Sequence, residues 1–184
     1  LGKDNASFEA YGGNGDDTLL GGDGVDQLYG DAGNDVLDGG AGNDYASGGA
    51  GADSYRFGIG SGVDSINNSD SDALGVNADA IVLGAGVAPA GVTLARSGDN
   101  LIVKINGTTD QLTVTSYFHL DATSSYAVES MRFADGTVWD LNTIKTKVQQ
   151  GTDAADTLYG YAGNDTLAAG LGNLAVADLD GDHR

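Results

Sequence analysis

Residues 12–56 read GGNGDDTLL, GGDGVDQLY, GDAGNDVLD, GGAGNDYAS and GGAGADSYR, five consecutive units of nine residues. Each opens on glycine, repeats glycine at position 4, places an aspartate at position 6 and closes on a short strand. The aspartates are Asp17, Asp26, Asp35, Asp44 and Asp53. Glycine reaches backbone angles denied to other residues, so the first six residues of a unit can turn sharply with their carbonyls pointing inward. Position 8 then faces an interior, as Leu19, Leu28, Leu37, Ala46 and Tyr55, while positions 7 and 9 mix polar residues with Leu20, Tyr29, Val36 and Tyr45. Successive units alternate between two parallel sheets, so units n and n+2 become neighbouring strands about 4.8 Å apart. A flexible acidic linker has no reason to hold aspartate in phase for five units with an apolar residue two positions later.

The phase stacks the aspartates as well as the strands. Two carboxylates at that spacing repel by about 3 to 4 kcal/mol at an effective dielectric near 20. A hard cation reverses the sign. Ca²⁺ accepts six to eight oxygens in flexible geometry, whereas Mg²⁺ demands a tighter octahedron, so calcium is the expected ion. At about millimolar calcium and a dissociation constant near 10⁻⁴ M, each site adds about 1.4 kcal/mol. Three sites give about 4 kcal/mol, comparable to the whole stability of a small domain.

The 184 residues carry 27 acidic against 8 basic side chains, a net charge of −19. Such a surface repels nucleic acid and anionic membrane, and no stretch approaches the apolar length of a transmembrane helix. With no cysteine, disulfides, thiol catalysis and zinc–thiolate sites are excluded together. The chain starts at Leu1 without a signal-peptide pattern and is expected to come from a longer polypeptide.

The nonapeptide is the known signature of a calcium-binding β-helix repeat. These residues resemble the repeats-in-toxin family of secreted bacterial proteins, also called haemolysin-type calcium-binding proteins. The resemblance implies an all-β fold, a right-handed parallel β-roll. It also implies that carbonyls of positions 2 and 4 and the Asp of one unit meet carbonyls of positions 1 and 3 and the Asp two units on. Carried over, this gives three Ca²⁺ sites: Gly13, Gly15 and Asp17 with Gly30, Ala32 and Asp35; Gly22, Gly24 and Asp26 with Gly39, Ala41 and Asp44; and Asp31, Gly33 and Asp35 with Gly48, Ala50 and Asp53. Asp35 bridges two ions, and Asp31 stands where the second glycine is usual. Upstream, residues 2–11 resemble a degenerate unit with Ser7 in place of the aspartate.

A second array starts with GTDAADTLY at 151 and GYAGNDTLA at 160, placing Asp156 and Asp165 at position 6. The unit after it has Leu174 where Asp is required, so this array is expected to bind more weakly. The tail alternates Asp178, Asp180 and Asp182 and is expected to be solvated acid. Three units follow: a calcium-binding roll at 1–57, a small β-rich intervening domain at 58–150, and the degenerate array at 151–184. In the middle unit, strands are expected at 79–83, 92–96, 101–105, 111–115 and 129–133, with a turn at Asn106–Gly107. Asp140 is expected to cap a short helix presenting Leu141, Ile144 and Val148 on one face. Trp139, Tyr117 and Phe118 are read as core in preference to a carbohydrate platform.

No catalytic constellation is visible: His119 and His183 form no metal-ligand pair, and serine elbow and phosphate loop are both lacking. The expectation is a non-enzymatic module that folds on extracellular Ca²⁺ within a larger parent polypeptide. The resemblance implies type I secretion and an extracellular bacterial location, including association with the cell surface. The rival reading is a calcium-rigidified adhesive module binding glycan or a host surface, as part of an adhesin or a polysaccharide enzyme.

Overall fold

A computed structural model describes residues 6–70, 75–150, 156–159 and 174–177. The repeats form β1 (Glu9–Asn14), β2 (Thr18–Gly22), β3 (Gln27–Ala32), β4 (Val36–Gly40), β5 (Tyr45–Ala50) and β6 (Ser54–Phe57). Odd and even strands fall into separate sheets, each pairing parallel with the strand two units on. Glu9 sits beside Gln27 and Gln27 beside Tyr45, while Thr18 sits beside Val36 and Val36 beside Ser54. All six strands are longer than the three residues at positions 7 to 9, because pairing continues into the turns. Gly13 is in register with Asp31 and Asp31 with Gly49. Asp31 adopts φ 72°, a left-handed angle that Asp tolerates better than most residues, and so occupies the second-glycine position without breaking the register.

Both sheets run past the last nonapeptide. β7 (Val63–Ile66) joins β5, and β8 (Ala80–Leu83) joins β6, both parallel. β9 (Val92–Ser97), β10 (Asn100–Ile105) and β11 (Gln111–Val114) then form an antiparallel run, with β11 parallel to β7. On the other sheet β12 (Ser130–Arg132) lies parallel to β8 and antiparallel to β13 (Val138–Asp140). The strands at 80–83, 92–97, 100–105, 111–114 and 130–132 fall where the residue pattern places them; β7 and β13 are additional. Residues 105–108 turn with Gly107 at φ 82°. α1 (Leu141–Val148) is capped by Asp140, whose carboxylate accepts from the Thr143 amide at 2.8 Å, and it buries Ile144 and Val148.

One hydrophobic cluster runs from the roll into the intervening segment, from Leu19, Leu28, Leu37 and Tyr55 through Ile66, Ile81 and Leu112 to Met131 and Ile144. Trp139, Tyr117 and Phe118 belong to it at 6%, 0% and 1% exposure, which removes them as a sugar platform. Trp139 meets Phe133 edge-on and carries the Lys147 ammonium over its face at 4.1 Å. The N-terminal coil needs one correction. Phe8, not Ser7, stands at position 6: its amide donates to Asp26 Oδ1 at 3.1 Å, while the Ser7 hydroxyl accepts from the Val25 amide. The register is set by the pairing of Glu9 with Gln27, which moves the alignment by one residue.

In the second array, β14 (Asp156–Tyr159) pairs parallel with β15 (Leu174–Ala177), Asp156 opposite Leu174, so the two-unit phase recurs. Asp165 and the tail at 178–184 lie outside the described residues.

The turns separate two kinds of glycine. A Cβ at Gly42 would stand 1.7 Å from the Gly24 carbonyl oxygen at φ 155°, whereas a Cβ at Gly15 meets nothing within 4 Å at φ 109°. Gly15→Ala is expected to cost about 1 to 2 kcal/mol from the backbone angle alone. Gly42→Ala must also push two coils apart, and is expected to lower the thermal midpoint in calcium by at least twice as much as Gly15→Ala.

Candidate metal centre

Eighteen residues is the spacing of the strands and also of the acids. The Asp17 amide donates to Asp35 Oδ1 at 2.8 Å, Asp26 to Asp44 at 2.9 Å, and Asp35 to Asp53 at 2.9 Å. Each carboxylate is therefore pinned through one oxygen by the coil before it. The other oxygen has been turned inward: Oδ2 of Asp26, Asp35, Asp44 and Asp53 is buried without a hydrogen-bond partner. Leaving a buried polar atom unsatisfied costs about 1 to 3 kcal/mol, and more for a charged group.

Those oxygens do not stand alone. A Cβ built on Gly30 would lie 2.3 Å from Asp35 Oδ2 and 2.5 Å from the Gly48 carbonyl oxygen. On Gly21 it would lie 1.9 Å from the Gly39 oxygen and 2.7 Å from Asp26 Oδ2; on Gly12, 2.7 Å from the Gly30 oxygen and 2.9 Å from Asp17 Oδ2. Position 1 is thus a hollow into which a carboxylate of one unit and a carbonyl two units on converge, and only glycine leaves it open. The carbonyls of Gly15, Gly24 and Gly33 likewise face the glycine eighteen residues on. The Ala32 and Ala50 carbonyls accept from the amides of Gly15 and Gly33 at 2.7 and 2.8 Å, and Gly22 accepts from Ala41 at 2.6 Å. Each keeps a second lone pair. Among the described residues no three acidic or imidazole side chains gather at one point, so any site here is built from two carboxylates and main-chain carbonyls. This all-oxygen donor set fits Ca²⁺.

The nine-residue period did not reveal every acid in the columns. The Asp44 amide donates to Asp64 Oδ1 at 2.9 Å, the Asp53 amide to Asp79 Oδ1 at 2.7 Å, and the Asp79 amide to Glu129 Oε2 at 2.8 Å. One signal was present: Gly60-x-Gly62-x-Asp64 repeats positions 2, 4 and 6 of a unit, displaced from the strict period. Asp110 has another role. Its two oxygens accept from the amides of Gly60 and Gly62 at 2.9 and 2.8 Å, closing the turn before β7.

Electrostatics follow these contacts. Burial pushes Asp35 and Asp44 above the ordinary carboxylate range, with neighbouring acids adding to it and the pinning amides only partly offsetting it. Burial, with the same carboxylate crowding, drives Asp53 and Asp64 up to about 7 and Asp79 up to about 6. For Asp110 burial is outweighed by the Gly60 and Gly62 amides and the Thr108 hydroxyl, and its pKa falls.

A parallel roll whose turns stack carboxylates against inward carbonyls defines a calcium-binding β-roll. Residues 11–46, 29–64 and 150–173 match the RTX calcium-binding nonapeptide repeat in its four-copy form, and residues 100–143 match the haemolysin-type calcium binding protein related domain. The chain belongs to the RTX haemolysin-type calcium-binding family, and its repeats bind calcium. It is 41% identical over 120 residues to the iron-regulated protein FrpA of Neisseria meningitidis serogroup C, a match spanning 65% of this chain and 11% of FrpA. It also resembles the solution structure of the AlgE6R3 subunit from the Azotobacter vinelandii mannuronan C5-epimerase, at 34% identity and a TM-score of 0.42, over 61% of this chain and 72% of that one. No helix of the described residues is long and apolar enough to cross a membrane.

The raised carboxylates give the metal-free roll a defined pH dependence. A carboxylate whose folded pKa exceeds its unfolded value of about 3.9 takes up a proton on folding. The stability this contributes is fully present below the unfolded pKa and is lost as pH rises through the folded values, about 6 for Asp79 and about 7 for Asp53 and Asp64. Thermal melts of metal-free protein should rise in midpoint as pH is lowered from 8 to 5, whereas calcium-saturated protein should lose midpoint over the same range.

Proposed function

We propose that this chain is a calcium-folded module of a larger secreted protein, whose sequence keeps it open where calcium is scarce and closes it where calcium is plentiful. The observation carrying this reading is the set of buried, unpartnered oxygens on Asp26, Asp35, Asp44 and Asp53, stacked in two columns. The ions proposed for the repeats are three. Gly13, Gly15 and Asp17 hold the first with Gly30, Ala32 and Asp35; Gly22, Gly24 and Asp26 the second with Gly39, Ala41 and Asp44; Asp31, Gly33 and Asp35 the third with Gly48, Ala50 and Asp53. Asp156 and Asp165 form a weaker site in the second array.

Bound calcium would supply positive charge at the stacked carboxylates and a shared centre for the main-chain carbonyls of the two coils. The chain does the rest. With a net charge of −19, its acids repel one another and hold the glycine turns open. Once neutralised, the amides at position 6 pin the carboxylates, the coils register at eighteen residues, and Leu19, Leu28 and Leu37 are buried. An open, unstructured chain is what passage through a secretion channel requires, which supports export by a type I route into a calcium-rich exterior. The family's repeats are typically those of secreted proteins, and the match to 11% of a longer relative supports one module among several. No catalytic role is proposed for these residues.

A second reading rests on one surface. Tyr11 and Tyr29 stack at a centroid distance of 4.9 Å, and Tyr45 follows at 5.6 Å, on the outward side of the first sheet. Such a row supports a glycan-binding or adhesive surface rigidified by calcium, since aromatic faces stack on apolar faces of ligands. On this reading Tyr29→Ala abolishes calcium-dependent retention on an oligosaccharide array; retention on no glycan, with or without EDTA, removes it.

Conditional folding is tested by a calcium titration followed by far-ultraviolet circular dichroism, with magnesium as control. The expected outcome is a cooperative gain of β signal with calcium alone. Asp35→Ala, which removes a carboxylate shared by two ions, is expected to raise the calcium midpoint about tenfold or more, since two sites at about 1.4 kcal/mol each are weakened. A spectrum already folded in EDTA at neutral pH and unmoved by calcium is the outcome against it.

A further inference from the structure

The carboxylate columns continue after the nonapeptides end. Asp64 and Asp79 accept from the amides of Asp44 and Asp53 in the same way that Asp35, Asp44 and Asp53 accept from the coils before them. Gly60 and Gly62 stand at positions 2 and 4 before Asp64 at φ 89° and 94°, and Gly75 at position 2 before Asp79 at φ 79°. What hides the recurrence is inserted chain. Tyr45 pairs with Ser65 and Ser54 with Ala80, steps of 20 and 26 residues in place of 18.

Side-chain oxygens give the count. The three sites assigned to the repeats use the inward oxygens of Asp17, Asp26 and Asp35 beside the carbonyls of Gly30, Gly39 and Gly48. Two inward oxygens are left over. Oδ2 of Asp44 and Oδ2 of Asp53 are equally without a partner, on side chains of residues 5% and 1% exposed. A Cβ at Gly39 would lie 2.4 Å from Asp44 Oδ2, and at Gly48, 2.0 Å from Asp53 Oδ2, so each inward oxygen again lies against position 1 of its own unit. Asp44 and Asp64 both line a cavity of about 20 Å³, which Gly39, Tyr55, Arg56 and Ser65 also border beside the apolar core residues. That is room for one small ion or water.

The run of unpartnered inward oxygens in this column stops at Asp79 for a visible reason. Asp79 Oδ2 accepts from Asn68 Nδ2 at 2.7 Å, and the Tyr55 hydroxyl donates to Asn68 Oδ1 at 2.6 Å while accepting from the Gly48 amide at 2.9 Å. The last inward oxygen is thus satisfied by a neutral amide. We propose that Asp64 and Asp79, outside the nine-residue register, complete two further divalent-cation sites with Asp44 and Asp53, so that the first roll holds five ions and Asn68 closes the column. This rests on the reading that the columns bind calcium.

The test counts ions on the full chain by native mass spectrometry in calcium, in an Asp156→Asn, Asp165→Asn background so that the second array does not enter the count. Five bound ions are expected; three would overturn the proposal and leave the calcium-folding reading standing, and none would overturn both. Asp64→Asn and Asp79→Asn each keep an acceptor for the pinning amide and lose the charge. Each is expected to lose one ion, and the double variant two, with the circular dichroism of the calcium form retained. Variants that stay folded and keep the parent count overturn the assignment.

Discussion

A hydrogen bond from the amide of one coil to the carboxylate of the next coil in the same column organises this molecule. It recurs from Asp17 to Asp35, from Asp26 to Asp44 and from Asp35 to Asp53, and each time it uses one oxygen and turns the other inward. A carboxylate fixes the register of the sheets and at the same time buries charge. The fold therefore leaves buried carboxylate oxygens in the columns that its own groups do not pair.

The intervening segment meets the difficulty of ending such a stack. A parallel roll exposes strand edges and an unsatisfied carboxylate at its last coil, and both invite pairing with other chains. β7 and β8 carry the two sheets one coil further, and the antiparallel runs of β9 to β11 and of β12 with β13 then take over the edges. Asn68, held by the Tyr55 hydroxyl, donates to the Asp79 carboxylate, Glu129 accepts from the Asp79 amide, and Asp110 accepts from the amides of Gly60 and Gly62. The hydrophobic interior widens in step. A single leucine per coil at Leu19, Leu28 and Leu37 gives way to Tyr117, Phe118, Met131 and Ile144, so a broad core abuts the thin one of the roll.

Much of this was legible in the residues. Glycine and aspartate at fixed offsets define the unit, its two-coil phase and the inward place of position 8, because each follows from chain geometry inside nine residues. The helix cap at Asp140 and the strands from 80 to 132 were local in the same sense. Counting from Gly2 puts Ser7 at position 6 of the degenerate unit; the pairing of Glu9 with Gln27, which no local signal reveals, puts Phe8 in the acid position. β7, Asp64 and Asp79 were missed because loops of different length carry them to the same height in the stack.

The sequence by itself determined the period, the acid at position 6 and the demand for a hard cation, since backbone freedom and charge are properties of residues and their spacing. Only the tertiary structure decided which carboxylates share a column, which oxygens are left inward and where the column ends. Those depend on distances between coils, and a loop of any length that closes at the right height delivers an acid to the same rung.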